Sequence, residues 1–324
     1  MTVGQIQAFL GEDWRRVLTL LKESLRSDVE LLDRTNASLL DNGGKMLRPM
    51  LSLLVSKVCG GINDEGVRVA AASELLHNAT LLHDDVLDDG RCRRGMPTVF
   101  FTLGAKPSVL IGDFWLVKTM TTVLHCGPHS TQVSDLFSKT EQDLVEGELL
   151  QMAKATGGDT SEDDYLRIIY LKTASLFQTV CAAAALAADA SKQDAEAVTE
   201  YGKLLGMAFQ IKDDILDYEG DSIGKPVGAD LREGKITLPL LGALSKVDAE
   251  RESEIRKVVS AVPQQPGVFA AVSEMVRKLD GTGYAHLKLQ EYVKQAKEAL
   301  ATLPDTQARY YLLQLADYCT YRAI

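Results

Sequence analysis

The chain has 324 residues, 46% hydrophobic and 25% charged, with a formal net charge of −10. That is enough for one large globular domain or two small ones, and the acidic balance argues against nucleic acid as a partner. Cys59, Cys92, Cys126, Cys181 and Cys319 have neither disulfide nor zinc spacing. The N-terminus does not read as a secretory signal, and no run approaches about 18 uninterrupted apolar residues, so a cytoplasmic protein is expected.

In chain order, residues 4–40 show amphipathic helical spacing. Leu10, Trp14, Val17, Leu18 and Leu21 share a face, and Leu31, Leu32, Leu39 and Leu40 continue it. Asn42-Gly43-Gly44 stops that pattern. Lys45 to Pro49 opens a second helix, closed by Gly60-Gly61. Residues 65–88 predict a long apolar helix, Gly90 to Pro97 a basic loop, and Pro107-Ser108 the start of another helix. Further helices are expected over 131–155, from Tyr165 through Lys172-Thr173 into an Ala-rich run, and over 193–218. Ser161-Glu162-Asp163-Asp164 has the pattern of a helix cap with an acidic first turn. The Gly-rich stretch Glu219 to Pro239 predicts a long loop. Val262 to Pro266 separates two more helices, and Gln307 to Ile324 forms the last. With no strand alternation and no dividing linker, the expectation is one all-α domain over residues 1–324, a large helical bundle.

Two segments carry chemistry. Asp84-Asp85-Val86-Leu87-Asp88 and Asp213-Asp214-Ile215-Leu216-Asp217 both read Asp-Asp-x-x-Asp, and both end apolar runs. On a helix, Asp84 and Asp88 share a face, as do Asp213 and Asp217. Like charges so placed repel and need a counter-charge. Carboxylate oxygens suit Mg2+, which is held by a few carboxylates plus substrate phosphates. Basic residues stand where phosphate would need them. Lys45 and Arg48 lie at a helix start, Arg93 and Arg94 follow the first motif, and Lys172 lies on an apolar helix. Lys225 and Lys235 each follow a glycine in the long loop. His77 precedes Asp84 by two helical turns, near the same face.

Together these residues resemble the polyprenyl synthetase family of trans-isoprenyl diphosphate synthases. The resemblance takes in Gly44-Lys45-Met46-Leu47-Arg48-Pro49, His77, the first Asp motif with Arg93-Arg94-Gly95, and Gly147-Glu148-Leu149-Leu150-Gln151. It continues through Lys172-Thr173, Phe209-Gln210, the second Asp motif, Gly224-Lys225 and Asp230 to Pro239. It implies an isoprenoid-synthase helical bundle with a central cavity, and head-to-tail condensation of isopentenyl diphosphate with an allylic diphosphate such as farnesyl diphosphate. It also implies three Mg2+ ions per site. Asp84 and Asp88 would hold two of them and Asp213, on the facing wall, the third, with Asp85, Asp214 and Asp217 in support. Arg93, Lys172, Lys225 and Lys235 would clamp the allylic diphosphate. Lys45, Arg48, His77 and Arg94 would hold isopentenyl diphosphate, with Phe209 packed on it. Thr173 and Gln210 would sit beside the reacting carbons. A homodimer, and peripheral membrane contact for product release, belong to the same implication.

Ala79 and Thr80 precede the first motif, where short-chain members of the family often carry bulky aromatics. The small pair implies a product longer than C20, of about eight isoprene units, with a short-chain farnesyl or geranylgeranyl synthase as the alternative. Trp115 and Met120 are candidates to narrow the tunnel lower down. Lys212, directly before the second motif, departs from the small or apolar residue expected there.

Overall fold

Thr2 opens the first helix with a reciprocal cap: its hydroxyl accepts from the Gln5 N–H, and the Gln5 side chain accepts from the Thr2 N–H. The computed structural model describes residues 2–219, 228–262 and 269–321. Helix α1 runs Val3–Ser24 and α2 Glu30–Asp41, so the single helix expected over 4–40 is two. Side chains stabilise the break. Asp33 accepts the Ser27 N–H at 3.0 Å, and buried Asn36 donates to the Leu25 carbonyl at 2.8 Å. Apolar spacing does not register such polar closure of a helix end.

Helix α3 is Leu47–Cys59, and α4 is Asp64–Leu87 with Asn63 accepting the Gly66 N–H at 2.9 Å as its cap. Val69–Leu76 of α4 are all buried, and Ala79, Leu82 and Asp85 follow them, which makes α4 a core helix. The expected basic loop is instead a small hairpin. Strands β1 (Cys92–Arg93) and β2 (Met96–Pro97) pair antiparallel. Arg94 and Gly95 turn it with φ of 53° and 75°, and a two-residue turn with both φ positive closes a hairpin tightly. Two-residue strands are too short to show alternation.

Helix α5 (Val99–Leu103) leads into α6 (Ala105–Leu124), which packs antiparallel to α4. The Ser108 hydroxyl donates to the Leu82 carbonyl at 2.9 Å near one end, and His129 meets Glu65 at 2.8 Å near the other. There follow α7 (Ser130–Gly157), α8 (Glu162–Ile169), a π turn over Tyr170–Ala174, α9 (Ser175–Ala187) and α10 (Lys192–Glu219). The cap expected at Ser161 is present, with Asp164 reciprocating. Within the stretch expected to be a long loop lies α11 (Ala229–Arg232), and α12 (Leu238–Leu244) starts at its end. The remaining helices are α13 (Ala249–Ala261), α14 (Phe269–Lys278), α15 (Gly281–Ala299) and α16 (Gln307–Tyr321). Glu162–Ala187 is long and apolar enough to span a bilayer, but 78% of that window is buried in the protein, as in a core helix.

The chain groups into two compact units. The first comprises Met1–Ser138, Thr179–Thr199 and Thr302–Leu312, with α4 at its centre against α1, α3 and α6. The second comprises Lys139–Gln178, Glu200–Ala301 and Leu313–Ile324, where fully buried α12 packs on α15 and α14.

Candidate active site

In the first unit the Asp motif closes α4. Asp84 lies half-buried in the last turn, and Asp88 is the exposed C-cap, its N–H donating to the Asp84 carbonyl at 2.9 Å. Asp85 points elsewhere and is buried. Its Oδ1 accepts from Arg93 Nε at 2.9 Å and Nη2 at 2.8 Å, so the hairpin arginine is held side-on beside the motif. Around the neighbouring turn Arg48, Arg93 and Arg94 gather near His77. Burial, then Arg48 and the other two arginines, push the His77 imidazole well below its ordinary value, so it is neutral. Glu74, a turn below, is also buried. Burial raises its carboxyl, Arg48 opposes that rise, and Asn78 donates to it at 2.9 Å. The Gly44 backbone lies against the Arg94 guanidinium, and Lys45 is exposed just before Met46, whose φ is 47°. Left-handed conformations at Met46, Asp89 and Arg94 mark strain concentrated around these groups. His83, directly before the motif, ties α4 to α6 through the Val109 carbonyl and Asp113, each at 3.3 Å.

Ala79 is fully buried and Thr80 half-buried. The Thr80 hydroxyl donates to the His77 carbonyl at 2.8 Å, which commits its polar atom to its own helix. Trp115 is also fully buried, its Nε1–H donating to Asn36 at 2.8 Å, while Met120 is half-buried.

In the second unit the π turn presents Lys172 and Thr173. A Cβ added at Gly147 would stand 2.8 Å from the Leu171 Cβ, and one at Gly206 2.5 Å from the Ala174 Cα. Only glycines let α7 and α10 approach this turn so closely. Lys172 pairs with Glu148 and donates to Gln151 at 2.8 Å. The Thr173 hydroxyl donates to Gln210 Oε1 at 2.7 Å, and Gln210 Nε2 donates to Asp214 Oδ1 at 2.9 Å. Tyr165 donates to the other Asp214 oxygen at 2.6 Å. Asp214 is buried, and burial followed by Asp230 raises its carboxyl well above the usual range. Asp213 is half-buried one residue earlier. Asp217 accepts the Asp230 N–H at 3.2 Å, while its carbonyl takes the Gly228 N–H at 2.8 Å, which fastens the end of α10 to α11. Lys235 is nearly buried and pairs with Glu233 at 2.5 Å. Phe209 stacks on Phe177 with ring centroids 5.4 Å apart. Lys172, Gln210, Asp214 and Lys235 line one cavity with Tyr165 and Gln151. Lys212 is buried rather than solvated, and Lys225 lies outside the described residues.

Glu148 and Gln151 belong to a stretch that the resemblance took in without giving them a role, and Glu74 and Tyr165 were not singled out from the sequence. Glu74, a lone acid in the apolar run Ala70–Leu76, carried a signal; Tyr165 carried none. Among the described residues no three acidic, histidine or cysteine side chains form a metal-enclosing group. Carboxylates paired at helical spacing fit a Mg2+ that draws its remaining ligands from diphosphate and water.

The polyprenyl synthetase family model matches residues 29–276. The chain is 35% identical to the octaprenyl diphosphate synthase of Escherichia coli K12, over 99% of each. It is also 35% identical to a short chain isoprenyl diphosphate synthase of Methanothermobacter thermautotrophicus, over 92% of this chain and 93% of that one. Among solved structures, a decaprenyl diphosphate synthase from Rhodobacter capsulatus superposes with a TM-score of 0.92 at 35% identity, covering 98% of both chains. The chain belongs to the polyprenyl synthetase family. It is an all-α prenyltransferase of the trans-polyprenyl diphosphate synthase class, as the resemblance implied.

Proposed function

We propose that the enzyme adds isopentenyl diphosphate repeatedly, head to tail, to an allylic diphosphate such as farnesyl diphosphate, and releases a product longer than C20, of about eight isoprene units. The observation that carries the reading is the arginine cluster beside the first carboxylate motif. Arg48, Arg93 and Arg94 all lie near enough to a neutral His77 to depress its imidazole, a concentration of positive charge that suits diphosphate.

In this reading Asp84, Asp88 and Asp213 would hold Mg2+, three ions per site, which would supply positive charge for the departing diphosphate. Arg93, oriented by Asp85, and Lys172 and Lys235, each already beside a carboxylate, stabilise the same charge. Lys225 is assigned with them. Lys45, Arg48, His77 and Arg94 hold isopentenyl diphosphate, and Phe209 packs on it. Thr173 and Gln210 face the allylic carbons. The isopentenyl double bond attacks the allylic cation, and the released diphosphate accepts the proton that leaves. The apolar helices around the reacting carbons exclude water.

Small Ala79 and Thr80 support a long product. Relatives named for long and for short products are equally identical to this chain, which keeps the short-chain reading in play. We also take the enzyme to be a homodimer. Leu110, Val117 and Leu124 of α6 are 68%, 62% and 60% exposed at seven-residue spacing, an apolar stripe suited to a second copy. Five free cysteines support a cytoplasmic setting, and the apolar product accounts for contact with a membrane surface at release. Incubating purified enzyme with farnesyl diphosphate, labelled isopentenyl diphosphate and Mg2+, then measuring chain length by mass, tests the reading. Ala79→Tyr should shorten the product; an unchanged length would remove Ala79 from the account.

A further inference from the structure

The inference rests on the prenyl-transfer reading and concerns a residue outside every sequence motif. We propose that Tyr165 is a positioning residue that fixes which end of the Thr173 hydroxyl faces the reacting carbons. Three hydrogen bonds converge on one carboxylate. Tyr165 donates to Asp214 Oδ2 at 2.6 Å, Gln210 Nε2 donates to Asp214 Oδ1 at 2.9 Å, and Thr173 donates to Gln210 Oε1 at 2.7 Å.

The polarity of this chain follows from the donor inventory. An amide has a donating end and an accepting end, and both Asp214 oxygens act here as acceptors, Oδ2 from Tyr165 and Oδ1 from Gln210. Asp214 therefore takes the Gln210 nitrogen and turns the Gln210 oxygen toward Thr173. A hydroxyl has one proton, and Thr173 gives it to that oxygen. What remains on the Thr173 oxygen is lone pairs, the negative end of its dipole and the right sign for an allylic cation.

Tyr165 holds the far end of the chain. Asp214 is only 3% exposed, so its second oxygen depends on the phenol for a donor. Without it the carboxylate turns, and the Gln210 amide loses its single orientation. The backbone is shaped for this closure. On an unbroken α-helix Thr173 would be rotated about 80° from Tyr165. The π turn over Tyr170–Ala174 winds less per residue and brings Thr173 back toward the Tyr165 side, so both meet α10.

The test is Tyr165→Phe, with folding checked by thermal melting. Wild-type turnover of labelled isopentenyl diphosphate tests the prenyl-transfer reading by itself; the Tyr165 claim is read only from variants relative to wild type. We expect kcat to fall about tenfold, with KM for both diphosphates and the half-saturating Mg2+ within about twofold. Tyr165→Phe combined with Thr173→Val should be no slower than Thr173→Val alone. A kcat within about twofold of wild type, a raised Mg2+ requirement, or losses that multiply in the double variant would each overturn the proposal. Should the Phe variant not fold, 4-aminophenylalanine and 4-methylphenylalanine at position 165 fill the same volume and differ in the donor. The amino variant should then be about tenfold faster than the methyl variant, and equal rates overturn the claim.

Discussion

Asp85 and Asp214 occupy the same place in two copies of one motif, and the structure gives them parallel work. Asp85 orients Arg93, and Asp214 orients Gln210. The first residue of each motif is the one we assign to the metal, and on that proposal Asp84→Ala or Asp213→Ala should lower turnover about 10²–10³-fold, measured at saturating Mg2+. The motifs were legible because their logic is local: four-residue spacing on a helix needs no knowledge of the fold. The Asp214 partner was not legible, because Tyr165 is 49 residues away. His77 supplies a pH test. Its folded value lies well below the ordinary imidazole value near 6.5, so the unfolded chain takes the proton first. The stability that neutral His77 contributes is complete above about pH 6.5 and is lost as pH falls toward the folded value. Urea melts from pH 7.5 to 5.5 should show wild type losing stability relative to His77→Gln; parallel pH dependence would contradict a neutral imidazole in the folded protein.

Among the elements, the π turn is where local spacing and tertiary packing part company. Periodicity read a continuous helix from Tyr165 onward, and the helical character is there, but the turn widens at Tyr170–Ala174. Gly147 and Gly206, which let neighbouring helices press on that turn, mark its importance. Gly206→Ala would place a Cβ 2.5 Å from the Ala174 Cα, and should cost about 1–3 kcal/mol in a urea melt and slow turnover by displacing Thr173. Gly4→Ala in α1, with nothing within 4 Å, serves as a control and should stabilise by up to about 1 kcal/mol. Equal effects at the two positions would mean that packing against the turn does not matter. The break between α1 and α2 and the Arg93 hairpin escaped sequence reading for a related reason. Single polar side chains and a two-residue turn set them, and these leave no period.

For the whole molecule, helix content and the functional class were legible from composition and from the order of motifs. A homodimer was implied by the resemblance, but the face proposed for it was not legible, because an exposed apolar stripe becomes visible only once α6 has a buried face to compare it with. Replacing Leu110 and Val117 by Lys should convert a dimer to a 35.3 kDa monomer in sedimentation; a species unchanged in mass would place the interface elsewhere. The central claim is that this chain elongates an allylic diphosphate beyond the short-chain products. Its most direct test is the mass of the product made from farnesyl diphosphate and labelled isopentenyl diphosphate with Mg2+. The account predicts a ladder that ends past C20, near eight isoprene units. A product that stops at C20 or shorter would contradict the long-chain claim, and no incorporation at all would contradict prenyl transfer by this protein.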